Sequence, residues 1–149
     1  MGASEYAELI DRILNSCEYL DPRPMISKVE IPEDNPNALR WKAQYQFVEN
    51  KTLKIKDIAS FDSDGNMVER AFSYDFREVG AEHPIFRICN HERIQPVNEP
   101  CHVHVGPTQL ECFEDSKKTT FPYAIHCVKN HYQQKAQEWE QEGIDEQGI

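Results

Sequence analysis

His102 and His104 stand two residues apart in the run Asn98-Glu-Pro-Cys-His-Val-His-Val. Read as a strand, this run puts both imidazoles on one face and Cys101, Val103 and Val105 on the other, because successive side chains alternate. A second run, Ile85-Phe-Arg-Ile-Cys-Asn-His, separates Arg87 and Cys89 from Phe86, Ile88 and Asn90, with His91 at its end. If the two runs are neighbouring strands, Arg87, Asn90, His91, His102 and His104 converge at one end of a sheet.

Three chemistries fit such a cluster. Imidazoles suit zinc and other transition metals, but a third ligand would have to come from His91, Cys89, Cys112 or His126, none at a diagnostic spacing. A metal-independent site needs fewer groups: one histidine as general base, another as general acid, and Arg87 to stabilise a phosphorane-like transition state during RNA cleavage. The third reading is two solvated polar residues on the wet side of a sheet. The expectation carried forward is an acid/base site with no metal and no cofactor.

At these residues the chain resembles the TumE-like toxins of prokaryotic toxin–antitoxin modules. That family has paired strands, a Tyr-x-Tyr-like segment, a Phe-Arg-x-Asp-Asn segment, and then a proline before a His-His-x-His cluster. The matching positions here are Phe72-Ser73-Tyr74, Phe86-Arg87-Ile88-Cys89-Asn90-His91, and Pro100-Cys101-His102-Val103-His104. The likeness extends over roughly residues 40 to 132. It departs at Cys89, where the family has aspartate, and at Cys101, where the first histidine of the cluster would stand. If that aspartate is catalytic or binds metal, the departures imply a divergent or inactive relative. The resemblance implies a small cytoplasmic toxin with a cognate antitoxin protein as partner, and the acid/base reading adds RNA as its substrate.

The elements that would position these groups are legible as a helix, a series of strands and a second helix. Tyr6, Leu9, Ile10, Ile13, Leu14 and Cys17 recur at helical spacing, with Ser4 available as N-cap and Asp21-Pro-Arg-Pro to stop the pattern. Strands are expected at Met25–Ile31, at Trp41–Val48 with Trp41, Ala43, Tyr45 and Phe47 on one face, and in the run begun by Leu53, Ile55 and Asp57. The turn Asp62-Ser-Asp-Gly-Asn leads to Met67–Glu78, and strands at Ile85–Asn90 and His102–Val105 flank a crossing loop. Cys112 follows Leu110 in strand-like sequence.

Thr120 can cap a helix beginning near Pro122. Its stripe of Ile125, Val128, Tyr132, Ala136 and Trp139 ends at Gly143. His126, Lys129 and His131 belong to its polar side, where they would either be solvated or extend a phosphate patch with Lys117 and Lys118. Trp139 is expected either to anchor a second subunit or antitoxin, or to stand exposed. The fold expected is α+β, an antiparallel sheet of about five or six strands flanked by an N-terminal and a C-terminal helix.

Composition sets limits on function. A chain of 149 residues suffices for one domain with its own core, here residues 1–149 with a frayed acidic tail over 143–149. Five cysteines without a CxxC argue against a disulfide framework and a zinc ribbon, and favour a reducing cytoplasm. No apolar run reaches the ~20 residues of a membrane span, and the acidic start does not read as a signal peptide. The net charge of −10 argues against a domain-wide basic surface, although local patches are compatible with it, because many of the acids crowd into the tail. The function expected is a toxin-like component of a toxin–antitoxin or defence module, acting as a ribonuclease through the His/Arg cluster. A non-catalytic interaction module, binding a protein partner or a second copy through its sheet or C-terminal helix, is the alternative.

Overall fold

In a computed structural model, residues 2–17, 19, 27–90, 94–97, 99–115 and 120–146 are described, with side chains except at 27–29, 100, 110–115 and 136–146. The elements run α1 (Ala3–Asn15), β1 (Ser27–Glu30), β2 (Ala38–Phe47), β3 (Lys51–Phe61), β4 (Met67–Glu78), β5 (Phe86–Cys89), β6 (Gln95–Pro96), β7 (Pro100–Val105), β8 (Thr108–Asp115) and α2 (Phe121–Glu146). Among the described residues seven strands form one antiparallel sheet in the order β1-β2-β3-β4-β5-β7-β8, and the two-residue β6 pairs with β4. This is the expected α+β architecture, with more strands than expected: β6 lies in the anticipated crossing loop, and β8 occupies the strand-like stretch around Cys112.

Short-range chemistry explains the meander. Between β2 and β3 the chain turns with Glu49 and Asn50 both at φ near +60°, the left-handed pair that a tight hairpin of this twist demands. Between β3 and β4, Asp62 Oδ1 accepts from the backbone N–H of Asp64 and Asn66 at 3.0 and 2.9 Å, and Gly65 supplies φ +81°.

One face of the sheet is covered. Leu39, Trp41, Ala43, Tyr45 and Phe47 of β2, Leu53 and Ile55 of β3, and Phe72, Tyr74 and Phe76 of β4 bury into a single cluster with Tyr6 and Ile10 of α1 and Phe121, Ala124, Ile125, Val128 and Tyr132 of α2. Trp41 meets Phe121 edge-on at 4.8 Å, and Tyr19 stacks on Tyr132 at 4.5 Å. The apolar alternations noted in the sequence therefore all point to one side.

Two polar residues on that side, Asp57 and Arg70, are fully buried and joined at 2.7 Å. The Tyr74 hydroxyl donates to Asp57 at 2.6 Å, and Arg70 donates to Tyr74 at 2.9 Å and lies 3.7 Å above the Phe72 ring. Tyr6 extends the group, its hydroxyl 3.4 Å from that of Tyr74 while it accepts the Phe121 N–H at 3.3 Å. A tyrosine of α1 thus meets an N–H at the first turn of α2, one that no carbonyl within the helix can reach. Burial first, and then the Asp57 charge, raise the Tyr6 pKa to about 12, which keeps the hydroxyl protonated.

Two helix boundaries differ from expectation. Gly2, not Ser4, is the N-cap of α1, and it offers no side-chain bond. The sheet side of that helix begins at Ala3 and Tyr6, so tertiary packing draws the helix start ahead of the better capping residue. Gly143 lies within α2, whose helix continues to Glu146. A helical glycine costs about 1 kcal/mol, which weakens a helix without stopping it. Trp139, Ala136 and Cys112 lie outside the described side chains, and Lys117 and Lys118 outside the described residues.

Candidate functional site on the open sheet face

Strand register decides what lies on the other side of the sheet. One straight row across it reads Gln44 (β2), Lys54 (β3), Asp75 (β4), Arg87 (β5), His104 (β7) and Gln109 (β8). The adjacent row reads Lys42, Lys56, Ser73, Cys89 and His102, with Glu111 at the β8 register position. Side chains directly opposite one another in such rows stand ~5 Å apart, so neighbours along a row interact.

The sequence expectation that His102 and His104 share a face with Arg87 is met. Both imidazoles and Arg87 are half-buried, and Arg87 and His104 are direct register partners. The two histidines are separated along β7 by two strand rises, ~6.6 Å. The amide of Gln109 lies 3.1 Å from His102 Nδ1. With that amide nitrogen donating, Nδ1 is the acceptor and the neutral ring carries its proton on Nε2.

Partial burial, then the nearby Arg87 and His102, hold the His104 pKa below the usual histidine value, while Asp75 pulls weakly the other way. His104 is therefore neutral at pH 7, the state a base requires. Asp75 is engaged by Arg77 through two bonds, Nε to Oδ1 at 2.7 Å and Nη2 to Oδ2 at 2.6 Å, which offsets its charge within the row.

Small residues shape the surface. Ser73 and Cys89 are register partners and buried, whereas Lys54 and Lys56 beside them are exposed. The result is a depression of about 250 Å³ lined by Lys54, Lys56, Ser73, Asp75 and Arg87. It adjoins a concavity of about 310 Å³ along Lys42, Gln44, Lys54 and Lys56, and another of about 380 Å³ whose lining includes Arg40, Lys42 and Lys56 together with one exposed acid, Glu30. A molecule of net charge −10 thus carries a local cationic strip on this face.

Asn90 is not brought to this surface. Its side chain is buried, with Oδ1 accepting from Phe72 N at 2.9 Å and Nδ2 donating to the Arg70 carbonyl at 2.8 Å. β5 pairs with β4 over residues 73–76 and β6 pairs with it at 69–70, so Asn90 replaces the missing ladder bonds between them. Its placement is that of a backbone brace. His91 lies outside the described residues.

Among the described side chains the remaining histidines and cysteines are dispersed. His126 is exposed on α2, across the sheet from His102, and bonds Asn130 at 3.3 Å. His131 packs on Phe76 at a ring separation of 5.6 Å. Neither extends the polar face. Cys89 and Cys101 are buried thiols on opposite sides of the sheet, Cys101 within the core cluster. Among the described residues no three His, Cys, Asp or Glu side chains are grouped to hold a metal ion.

Sequence reasoning did not reach Lys42, Lys54, Lys56, Ser73, Asp75 and Gln109 as site residues. A signal was present in the alternation of Lys42, Lys54 and Lys56 with apolar neighbours, which marks them as outward-facing. That they flank Arg87 depends on the β3–β4–β5 register.

Comparison with protein-family models, curated proteins and solved structures finds no match. Fold and site alone define the class: an α+β protein whose antiparallel sheet has one helix-covered apolar face and one open face with histidines and cations in register. Among the described residues no helix is long and apolar enough to cross a membrane.

Proposed function

We propose that the open sheet face binds RNA and cleaves its backbone, and that the protein is a toxin-like component of a toxin–antitoxin or defence module. The observation that carries this reading is the register of Arg87 beside His104, with His102 one position along the same face. Neutral His104 takes the proton of a ribose 2′-hydroxyl as its oxygen attacks the adjacent phosphorus. As the new P–O bond forms and the bond to the 5′-oxygen breaks, protonated His102 delivers its Nε2 proton to the leaving oxygen. Gln109 accommodates that protonated state by rotating its amide to offer Oε1 to Nδ1–H. Arg87 faces the negative charge that builds on the phosphorane, where a fixed guanidinium is worth most.

Cys89, at the position the resemblance gives to aspartate, is buried under the row, and this histidine–arginine mechanism does not call on it. The toxin assignment rests on that resemblance together with this site. Its test is expression of the chain alone in a bacterial host, with total RNA followed on gels. Growth arrest with RNA fragments bearing 2′,3′-cyclic phosphate ends is expected. Normal growth and intact RNA at full expression of folded protein would leave the surface as a non-catalytic interaction face.

A further inference from the structure

Beyond the histidines, the open face carries cations that the cleavage step does not use. Lys42 on β2 and Lys56 on β3 are cross-strand partners in the row that contains His102, and both are exposed. The concavities along Lys42, Lys56 and Lys54 run without a gap in their lining residues into the depression at Arg87. From β2 to β7 the row crosses four inter-strand spacings, ~19 Å. Neither row contains Phe, Tyr or Trp. Among the described side chains the one exposed aromatic is Tyr123, on α2 and so on the helix side of the sheet.

We infer that Lys42, Lys56 and Arg87 form a phosphate track that binds single-stranded RNA lying across the β-strands and leads it to His102 and His104. The inference deepens the RNA-cleaving reading and rests on it.

Three features select this ligand. The stations are cationic and lie on different strands, so each can meet a different phosphate of one backbone. With no aromatic ring in either row for a base to stack on, the contacts go to phosphates, which fix register and carry no sequence information. Attack by the 2′-oxygen needs that oxygen, phosphorus and the leaving oxygen nearly in line. A flexible single strand reaches this arrangement more easily than an A-form duplex. Lys42 and Lys56 are positioning residues here, because they touch the substrate away from the bond that breaks.

Salt dependence and substrate length test the track. Full-length protein is titrated by fluorescence anisotropy with non-cleavable 2′-O-methyl U and A ten-mers and with a ten-base-pair RNA duplex, across a range of salt. Three phosphate contacts predict a log K against log[salt] slope of about −2 for the single strands. U and A ten-mers should bind within about threefold of each other, and the duplex more weakly. Lys42→Ala, with Lys42→Gln as a second replacement, should weaken both ten-mers severalfold and make the slope shallower by about 0.7.

Cleavage of a dinucleotide, too short to reach β2, should proceed at the wild-type rate in the Lys42 variants, while KM for a cleavable ten-mer rises. Wild-type binding that is unchanged by replacing Lys42 and Lys56 overturns the track and leaves the cleavage reading standing. Equal loss on dinucleotide and ten-mer, tighter binding of the duplex, or a tenfold preference for one homopolymer also overturns it. Absence of binding to every RNA overturns both readings.

Discussion

Arg87 on β5 and His104 on β7 are direct partners across the sheet, although a long connection separates them in the chain. That pairing puts a permanent cation beside an imidazole on an open polar surface. Several measurable properties follow from it and from the framework beneath it.

The first concerns the histidines themselves. Replacing His102 and His104 together by alanine should reduce RNA cleavage by at least 10²-fold, as expected for loss of both acid and base. The far-UV spectrum and denaturation midpoint should change little, because neither ring is in the core cluster. An unfolded double variant would make the pair structural. A folded and fully active one would refute the assignment.

The second concerns pH. Partial burial, then Arg87 and His102, depress the His104 pKa in the folded state. The unfolded chain therefore takes up the proton first, so as pH falls through ~6.5 some stability is lost, and above that value this group contributes none. A histidine-resolved NMR titration should place the His104 midpoint below ~6.5, and Arg87→Gln should move it upward. A wild-type midpoint at or above that value contradicts this account.

Asn90 separates bracing from catalysis. Asn90→Ala leaves the Phe72 N–H and the Arg70 carbonyl without their buried partners and should cost roughly 2–4 kcal/mol in urea denaturation. Cleavage per folded molecule should survive wherever the variant is still folded. Selective loss of activity at unchanged stability would return Asn90 to the site.

Beneath the site, Arg70→Met should destabilise the protein by about 3–5 kcal/mol, because it strands the fully buried Asp57 carboxylate. Asp57→Leu in the same chain should recover part of that loss, since an apolar pair replaces a buried ionic one. Calorimetry on the two single variants and the double variant gives the coupling directly. Additive losses would mean that the two side chains do not act as a unit.

The two valines of the histidine strand should behave differently from each other. The alternation alone groups Val103 with Val105 as core residues. Val103 packs on the buried cluster opposite Ile88, whereas Val105, beside the turn at Gly106, is 49% exposed. Val103→Ala should cost about 1 kcal/mol or more, and Val105→Ala under about 0.5 kcal/mol. Equal losses at the two positions, read from denaturant midpoints, would contradict the difference in burial.

Local periodicity by itself determined which residues face together within an element. Trp41, Ala43, Tyr45 and Phe47 in β2, His102 and His104 in β7, and Ile125, Val128 and Tyr132 in α2 all lie as their spacing requires. The reason is that a strand has period two and a helix 3.6, and neither depends on distant contacts. The turn at Asp62 was equally legible, because its bonds close within five residues.

Tertiary structure decided everything set by pairing between elements. Asp57 and Arg70 sat on apolar alternations with no local sign that they would meet, and Asn90 carried no mark of the gap between β5 and β6 that it fills. Lys42, Lys54 and Lys56 read only as outward-facing residues of a hairpin until β4 and β5 set them in register with Arg87 and His104. Long-range register depends on the summed burial of a whole sheet face, and a shift of one residue would send these side chains to the opposite side.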